Sequence, residues 1–471
     1  MQSLQSLYQQ YTKEKKCQIT PLAQSGSNRR YYRITGDNSP SLIGVVGMSV
    51  DENRAFVAIS QAFAEVNIPA PKVLAISDDA MSYIQTDLAD NTLFDTIYQG
   101  RQSGSFSSQE LALLHKTIAY LPDIQFGVDK RLDYSVCYPQ ARLDRRNVWF
   151  DLNYFKYCFL KIIGVEIDEI ALDKDFETLA KIILQNRDEE VFMYRDFQSR
   201  NVMIKDDCPY FIDFQGGRKG SFYYDVASFL WQAKANFSED VRNKLIDTYL
   251  ERLQRYKTIS KADFIERLKY FVLFRQLQVL GAYGLRGLIE KKPHFIESIP
   301  LALANIGQLM PFEELPYLSE VFDNKQFDCY KRDKIINRSN QPARLQVQIE
   351  SFSYKKCGIP IDYSGNGGGY VFDCRSIYNP GRYAEYKHLT GRDKKVKDFL
   401  LANGEVQVFL NNVYSLITKH IEVYSKRRFT HLSVFFGCTG GQHRSVFCAE
   451  SLAEYLKDFD VDIKLKHNEL F

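Results

Sequence analysis

The run Met193-Tyr194-Arg195-Asp196-Phe197-Gln198-Ser199-Arg200-Asn201, followed by Phe211-Ile212-Asp213-Phe214-Gln215-Gly216, constrains this chain most. It sets an Asp, an Asn five residues on and a second Asp twelve further between apolar runs. Val202-Met203-Ile204 and Tyr210-Phe211-Ile212 read as the strands of a short hairpin turning between Lys205 and Pro209. Such a hairpin brings Asn201 and Asp213 to one end. Phosphoryl transfer from a nucleotide needs this set: one carboxylate to orient and deprotonate the attacking hydroxyl, an amide oxygen and a second carboxylate to hold Mg²⁺ on the triphosphate. The pattern assigns Asp196 as base and Asn201 and Asp213 as metal ligands, with ATP and Mg²⁺ as the implied cofactors. The plainer alternative is a polar loop beside a core hairpin.

This segment resembles the catalytic loop of the aminoglycoside phosphotransferase and choline kinase superfamily, which has a protein-kinase-like fold. Tyr194 stands where that family has His, and still packs and donates one hydrogen bond. Tyr224-Asp225-Val226-Ala227 resembles the family's D-x-A helix, which implies that Asp225, with Tyr194 and Arg195, supports the catalytic loop. Gly26-Ser27-Asn28-Arg29-Arg30-Tyr31-Tyr32-Arg33-Ile34 resembles the glycine loop and second strand of bacterial cell-wall amino-sugar kinases. Asp151-Leu152-Asn153-Tyr154-Phe155 is similar to their acidic helix start, and Phe214-Gln215-Gly216 to their D-F-Q segment. This branch implies phosphorylation of N-acetylmuramate or N-acetylglucosamine at the anomeric hydroxyl, with Gly26, Ser27, Arg30 and Arg33 on the nucleotide. The candidate strand Leu42 to Met48 lacks the usual phosphate-binding lysine, so Glu52 or Glu65 has no lysine to pair with. Arg30 or Arg33 is the candidate replacement, since guanidinium suits phosphate; the alternative leaves both solvated on a loop.

At the other end, Leu432 to Gly437 reads as a buried strand, Cys438 to His443 as a glycine-bearing loop, and Arg444 to Leu456 as a helix. A loop of this kind presents N–H groups to an anion at a helix start. It is similar to the phosphate loops of Cys-dependent phosphatases, which leaves a covalent role for Cys438 open. With Ser351-Phe352-Ser353-Tyr354-Lys355, Phe372-Asp373-Cys374-Arg375, Asn379-Pro380 and Leu389-Thr390-Gly391-Arg392-Asp393, it closely resembles the C-terminal domain of the RNase adapter protein family, RapZ. That resemblance implies a pocket for an amino-sugar phosphate built from Asp373, Arg375, Thr390, Asp393, Cys438, Thr439, Gly440, Gly441, His443 and Arg444. Small RNA is the family's other partner. Here the basic tail is reduced to Lys464, Lys466 and His467, and the family's G-x-x-x-x-G-K-[ST] loop is missing.

Composition suits a cytoplasmic enzyme. The 471 residues exceed one domain, and a 45% apolar share fills real cores. A net charge of +3 argues for neither nucleic acid nor membrane. Nine scattered cysteines show no C-x-x-C pairs, and the start has no signal-peptide profile. The expected fold is an α+β protein-kinase-like bilobal domain followed by a smaller α/β domain of RapZ C-terminal type. Its boundaries are 1–90 for the N-lobe, 91–321 for the C-lobe, 322–344 for a linker and 345–471 for the last domain. The expected activity is a phosphotransferase with an alcohol acceptor whose C-terminal domain reads an amino-sugar phosphate and tunes it. The rival is an RNA-binding regulator whose kinase half senses without turnover.

Overall fold

In a computed structural model the described residues are 2–22, 29–323, 327, 344–356, 358–360, 362, 368–402, 404–427 and 429–470. Gly26, Ser27, Arg428, the Gly365–Gly367 turn and nearly all of the expected linker lie outside them. The chain divides into two compact units. One comprises residues 1–153, 169–279 and 304–318; the other comprises 154–168, 280–303 and 319–471.

The first unit opens with a five-stranded sheet in the order β1-β2-β3-β5-β4, formed by Gln18–Pro21, Arg30–Thr35, Leu42–Val46, Val73–Ile76 and Ser82–Thr86 in chain order. Each neighbouring pair is antiparallel. Strand alternation decides what each face of β2 meets. Tyr32 and Ile34 pack on Leu4, Leu7 and Tyr8 of the first helix, whereas Tyr31 stands on the other face, opposite Val45. The helix Val50–Glu65 starts at Ser49, whose hydroxyl accepts from Glu52 N, with Asp51 and Glu52 suiting its positive end. Ala55, Phe56, Ile59, Ala62 and Phe63 form its buried stripe. Phe56 stacks on Tyr83 of β5 and, 4.6 Å away, on Phe214, so the helix is keyed to the segment after the hairpin.

Beyond the sheet the unit is mainly helical and carries two small ladders. β6 (Glu190–Met193) pairs antiparallel with β9 (Arg218–Ser221), and β7 (Val202–Lys205) with β8 (Cys208–Phe211). The second is the expected hairpin, with Val202 opposite Phe211.

The second unit contains a four-stranded sheet in the order β11-β12-β10-β13, from Gly369–Asp373, His431–Cys438, Gln346–Ser353 and Asp462–His467. All three pairings are parallel. Its core unites Val347, Ile349, Val434 and Phe436 with Leu410, Val413 and Ile417 of the Glu405–Lys426 helix and Leu452 of the Arg444–Tyr455 helix. Because the strands are parallel, their carboxyl ends share one edge. Ser353 lies opposite Cys438, and Asp373 opposite Gly437. In open parallel sheets that edge is where ligands bind. Among the described residues no helix is long and apolar enough to cross a membrane.

Phe56 is 4% exposed. Its removal leaves a cavity between Tyr83 and Phe214, so Phe56→Ala is expected to lower the stability of the first unit by about 3–5 kcal/mol. A urea titration of the full chain, followed by hydrogen exchange at β5, checks this; an unshifted transition counts against the packing role.

Candidate functional site

Strand β6 delivers Tyr194 into a loop whose shape is set by one carboxylate. Asp225, fully buried at the start of the Tyr223–Leu230 helix, accepts Tyr194 N at 2.7 Å on Oδ2 and Arg195 N at 2.8 Å on Oδ1. Burial pushes its carboxyl up to about 7, against the pull of those two N–H groups. Arg195 has φ 77°, a left-handed conformation unfavourable for a side chain with a Cβ, and the two bonds to Asp225 hold it there. The Tyr194 ring is buried beside Phe63, Phe197 and Phe214, and its hydroxyl donates to the Ile212 carbonyl. Tyrosine in the histidine position thus ties the loop to the far strand of the hairpin.

Asn201 closes the loop. Its Nδ2 donates to the Asp196 carbonyl at 2.8 Å, and its own carbonyl accepts Ile212 N at 3.0 Å. Asp213 follows with φ 65°, its Oδ1 accepting Gln215 Nε2 at 2.7 Å. Asp196, Asn201 and Asp213 therefore come together as the spacing implied. The two carboxylates are pushed apart in acidity. Burial would raise Asp196, but Arg275, Arg195 and Arg200 together hold it below the usual range, and Arg275 Nη2 donates to its Oδ1 at 3.2 Å. Asp213 is raised, first by burial and then by Asp196, with Gln215, Arg29 and Arg200 opposing. A cation at Asp213 would relieve that penalty. Asn201 Nδ2 is already committed, which leaves the amide oxygen to ligate. Among the described residues no three His, Cys, Asp or Glu side chains are grouped to hold a metal by themselves.

The positive charge expected on β2 has a different owner. Arg33 is bound to Asp87 and Asp90 through bonds of 2.7 to 3.2 Å. Arg30 is exposed and shares the β2 face of Tyr32 and Ile34. Arg29 is buried, 3.1 Å from the Glu52 carbonyl and 3.4 Å from its carboxylate, bonded to the Tyr31 hydroxyl and over the Phe56 ring. It supplies the strand-to-helix ion pair that the missing lysine had left without a cation. Strand alternation was the available signal, since it sets Arg29 with Tyr31 and apart from Arg30.

A second group went unread. Arg275 Nη1 donates to the Tyr224 hydroxyl at 3.2 Å and also to Gln278 Oε1. Gln278 Nε2 in turn donates to Asp151 Oδ2 at 2.9 Å. A polar chain so runs from Asp196 to Asp151, whose carboxyl burial raises while Arg195, Gln278, Arg275 and Arg218 oppose. Arg275 and Gln278 were not singled out in the sequence.

In the second unit the loop after β12 is held from several sides. Cys438 is 3% exposed; its Sγ accepts Gly441 N at 3.2 Å and lies 3.1 Å from Ser445 Oγ. The Thr439 carbonyl accepts Ser353 Oγ at 2.7 Å. His443 Nε2 meets the Tyr386 carbonyl at 2.8 Å. Thr390 N and Oγ1 donate to Asp393 Oδ2 at 2.7 and 2.8 Å, and Gly391 N latches that turn to the Gln442 carbonyl. Asp373 and Arg375 pair with each other, and the guanidinium lies over the Tyr354 ring. Arg444, expected on the phosphate, also braces the chain. It is 4% exposed, and its Nη1 donates to the Arg375 and Ile377 carbonyls at 3.0 and 2.9 Å. Nη1 is thus committed to the chain itself, whereas the buried Nε has no hydrogen-bond partner among the described residues. Gly440 faces open space, and Gly441, with φ 68°, packs under the Glu469 side chain. Glu469 was not singled out by the sequence.

A five-stranded antiparallel sheet with two helices, followed by a mainly helical part that carries the braced loop and hairpin, defines a protein-kinase-like fold. Residues 18–262 match the model of the phosphotransferase enzyme family, and residues 345–471 that of the RapZ C-terminal domain. The chain belongs to the phosphotransferase enzyme family and carries a RapZ C-terminal domain after it. Among curated relatives, a nucleotide-binding protein of Haemophilus ducreyi is 31% identical over 253 residues, covering 52% of this chain and 84% of that one. One from Endomicrobium trichonymphae is 40% identical over 156 residues, covering 32% and 52%. A solved amicoumacin kinase is 14% identical, covering 63% of this chain and 91% of its own, with a TM-score of 0.45.

Arg444→Ala is expected to act on stability first, because it strips the buried Ile377 carbonyl and the part-buried Arg375 carbonyl of their donor at a cost of about 1–3 kcal/mol. Arg444→Lys is expected to recover only part, as one ammonium cannot copy the fork. Thermal and urea unfolding of the full chain measure both; a wild-type transition in Arg444→Ala rejects the clamp.

Proposed function

We propose that this chain is an ATP-dependent small-molecule kinase that phosphorylates an amino-sugar hydroxyl, of N-acetylmuramate or N-acetylglucosamine type and at the anomeric position. Its last 127 residues, 345–471, bind an amino-sugar phosphate and tune the kinase. The observation that carries the reading is the meeting of Asp196, Asn201 and Asp213 beside the Arg29–Glu52 pair.

In this reading Asp196 orients the acceptor hydroxyl and takes its proton as that oxygen bonds to the γ-phosphorus and the β–γ bridging bond breaks, releasing ADP. Arg275 keeps Asp196 ionised and aimed. Asn201 and Asp213 would hold Mg²⁺, which when bound neutralises charge on the triphosphate. Arg29, fixed by Glu52, offers a guanidinium to the phosphates. In the C-terminal domain the uncommitted N–H groups of the loop after Cys438, together with Arg444, would take the phosphate of the bound sugar. The two domain resemblances converge on amino sugars independently, which supports that substrate class over a sensor without turnover.

A transfer assay across N-acetylmuramate, N-acetylglucosamine, glucosamine and choline, with phosphorus NMR of the product, tests the proposal; no transfer to an amino sugar rejects it. Asp196→Asn is expected to lose about 10²–10⁴-fold in kcat with nucleotide binding little changed. The base must be ionised to act, and its neighbours lower its pKa. The rate is therefore expected to show no acid limb from this group within the ordinary aspartate range, whereas Arg275→Met, which removes a lowering charge, is expected to move the limb upward; a wild-type limb in that range rejects the assignment. Calorimetry on Asp213→Ala should report weaker Mg²⁺–ATP binding; unchanged affinity rejects Asp213 as a ligand.

A further inference from the structure

Beside Asp196 the first unit buries a guanidinium that its own groups answer only in part. Arg218, on β9, is 2% exposed; its Nε donates to the Gly216 carbonyl at 3.2 Å, and its buried Nη2 has no hydrogen-bond partner among the described residues. Its neighbour is a second guanidinium, Arg195. Burial first, and Arg195 next, push Arg218 down to about 10, which still leaves it protonated at neutral pH. Asp151 is the carboxylate that Arg195, Arg218 and Arg275 all influence, and one of its oxygens is already taken by Gln278. A buried cation without a matched anion is costly unless a ligand completes it. The place is informative too. Arg195 immediately precedes the proposed base, and Gly216 lies against the Arg195 fork: a Cβ there would sit 3.6 Å from Arg195 Nη1.

We propose that Arg195 and Arg218 form an anion subsite that selects acceptor sugars carrying a carboxylate over neutral ones. The proposal rests on the kinase reading above. Two guanidiniums side by side offer the planar N–H pairs that a carboxylate accepts bidentately. Asp151, at the far end of the same polar chain, keeps its other oxygen for a hydroxyl or amide group of the sugar. The subsite binds; it takes no part in bond making. It acts on KM and on the ratio between substrates, and it fixes which end of the sugar faces Asp196.

The test compares kcat/KM of the full chain for N-acetylmuramate, its carboxamide and N-acetylglucosamine. The wild type is expected to favour the free acid over both neutral sugars, mainly through KM. In Arg218→Met, which keeps the buried volume and removes the charge, the acid-to-neutral ratio is expected to fall roughly ten- to a hundred-fold. The wild-type comparison of acid with carboxamide needs no variant, so misfolding of Arg218→Met leaves the proposal exposed. Equal kcat/KM for acid and carboxamide overturns the subsite while sparing the kinase reading. No transfer to any sugar overturns both. A phosphorylated sugar accepted better than the acid overturns the carboxylate assignment.

Discussion

The carboxylate of Asp225 is the point on which the candidate active site hangs. It sits at the head of a buried helix and takes two consecutive backbone N–H groups of the loop. This holds Arg195 left-handed and thereby sets the direction in which Asp196 leaves the chain. The interaction is expensive in isolation, because a charge is carried into a site with no exposure. It is favourable in place because each oxygen answers an N–H that would otherwise be buried unpaired. The hairpin completes the frame through Asn201, which bonds the loop on one side and β8 on the other.

Around that frame arginines do most of the electrostatic work, each with a different task. Arg29 pairs with Glu52, Arg275 with Asp196, and Arg33 spans Asp87 and Asp90. Arg195 and Arg218 both lie beside Gly216, and like charges brought together inside a protein call for an anion. The opposed shifts of Asp196 and Asp213 follow from the same geometry. The arginines near Asp196 favour its ionised form, while Asp213 is dominated by burial and by Asp196 itself.

In the second unit parallel pairing is the organising constraint. It sets the ends of β10, β11 and β12 side by side, so Ser353, Asp373 and Cys438 adjoin although distant in sequence. The loop they surround is then fastened by Ser353, Gly391 and Tyr386 from three other segments. Arg444 clamps the turn that follows β11. A loop held this firmly keeps its N–H groups preorganised, which is what anion binding rewards.

The sequence by itself determined what depends on contiguous residues. The hairpin, the nearness of Asn201 and Asp213, the apolar stripe of Val50–Glu65 and the strand–loop–helix around Cys438 all follow from local spacing and periodicity. Gly26 and Ser27 fall outside the described residues. Tertiary structure decided which charged side chain meets which. Arg275 reaches Asp196 across 79 residues, Gln278 reaches Asp151 across 127, and Arg444 reaches the Ile377 carbonyl across 67. An arginine carries the same charge whether it grips a phosphate, a carboxylate or two backbone carbonyls. Only the packing of distant segments shows which acceptor its rigid fork can reach, and that is why neither the pairing of Arg29 with Glu52 nor that of Arg444 with the Arg375 and Ile377 carbonyls could be read before the chain was folded.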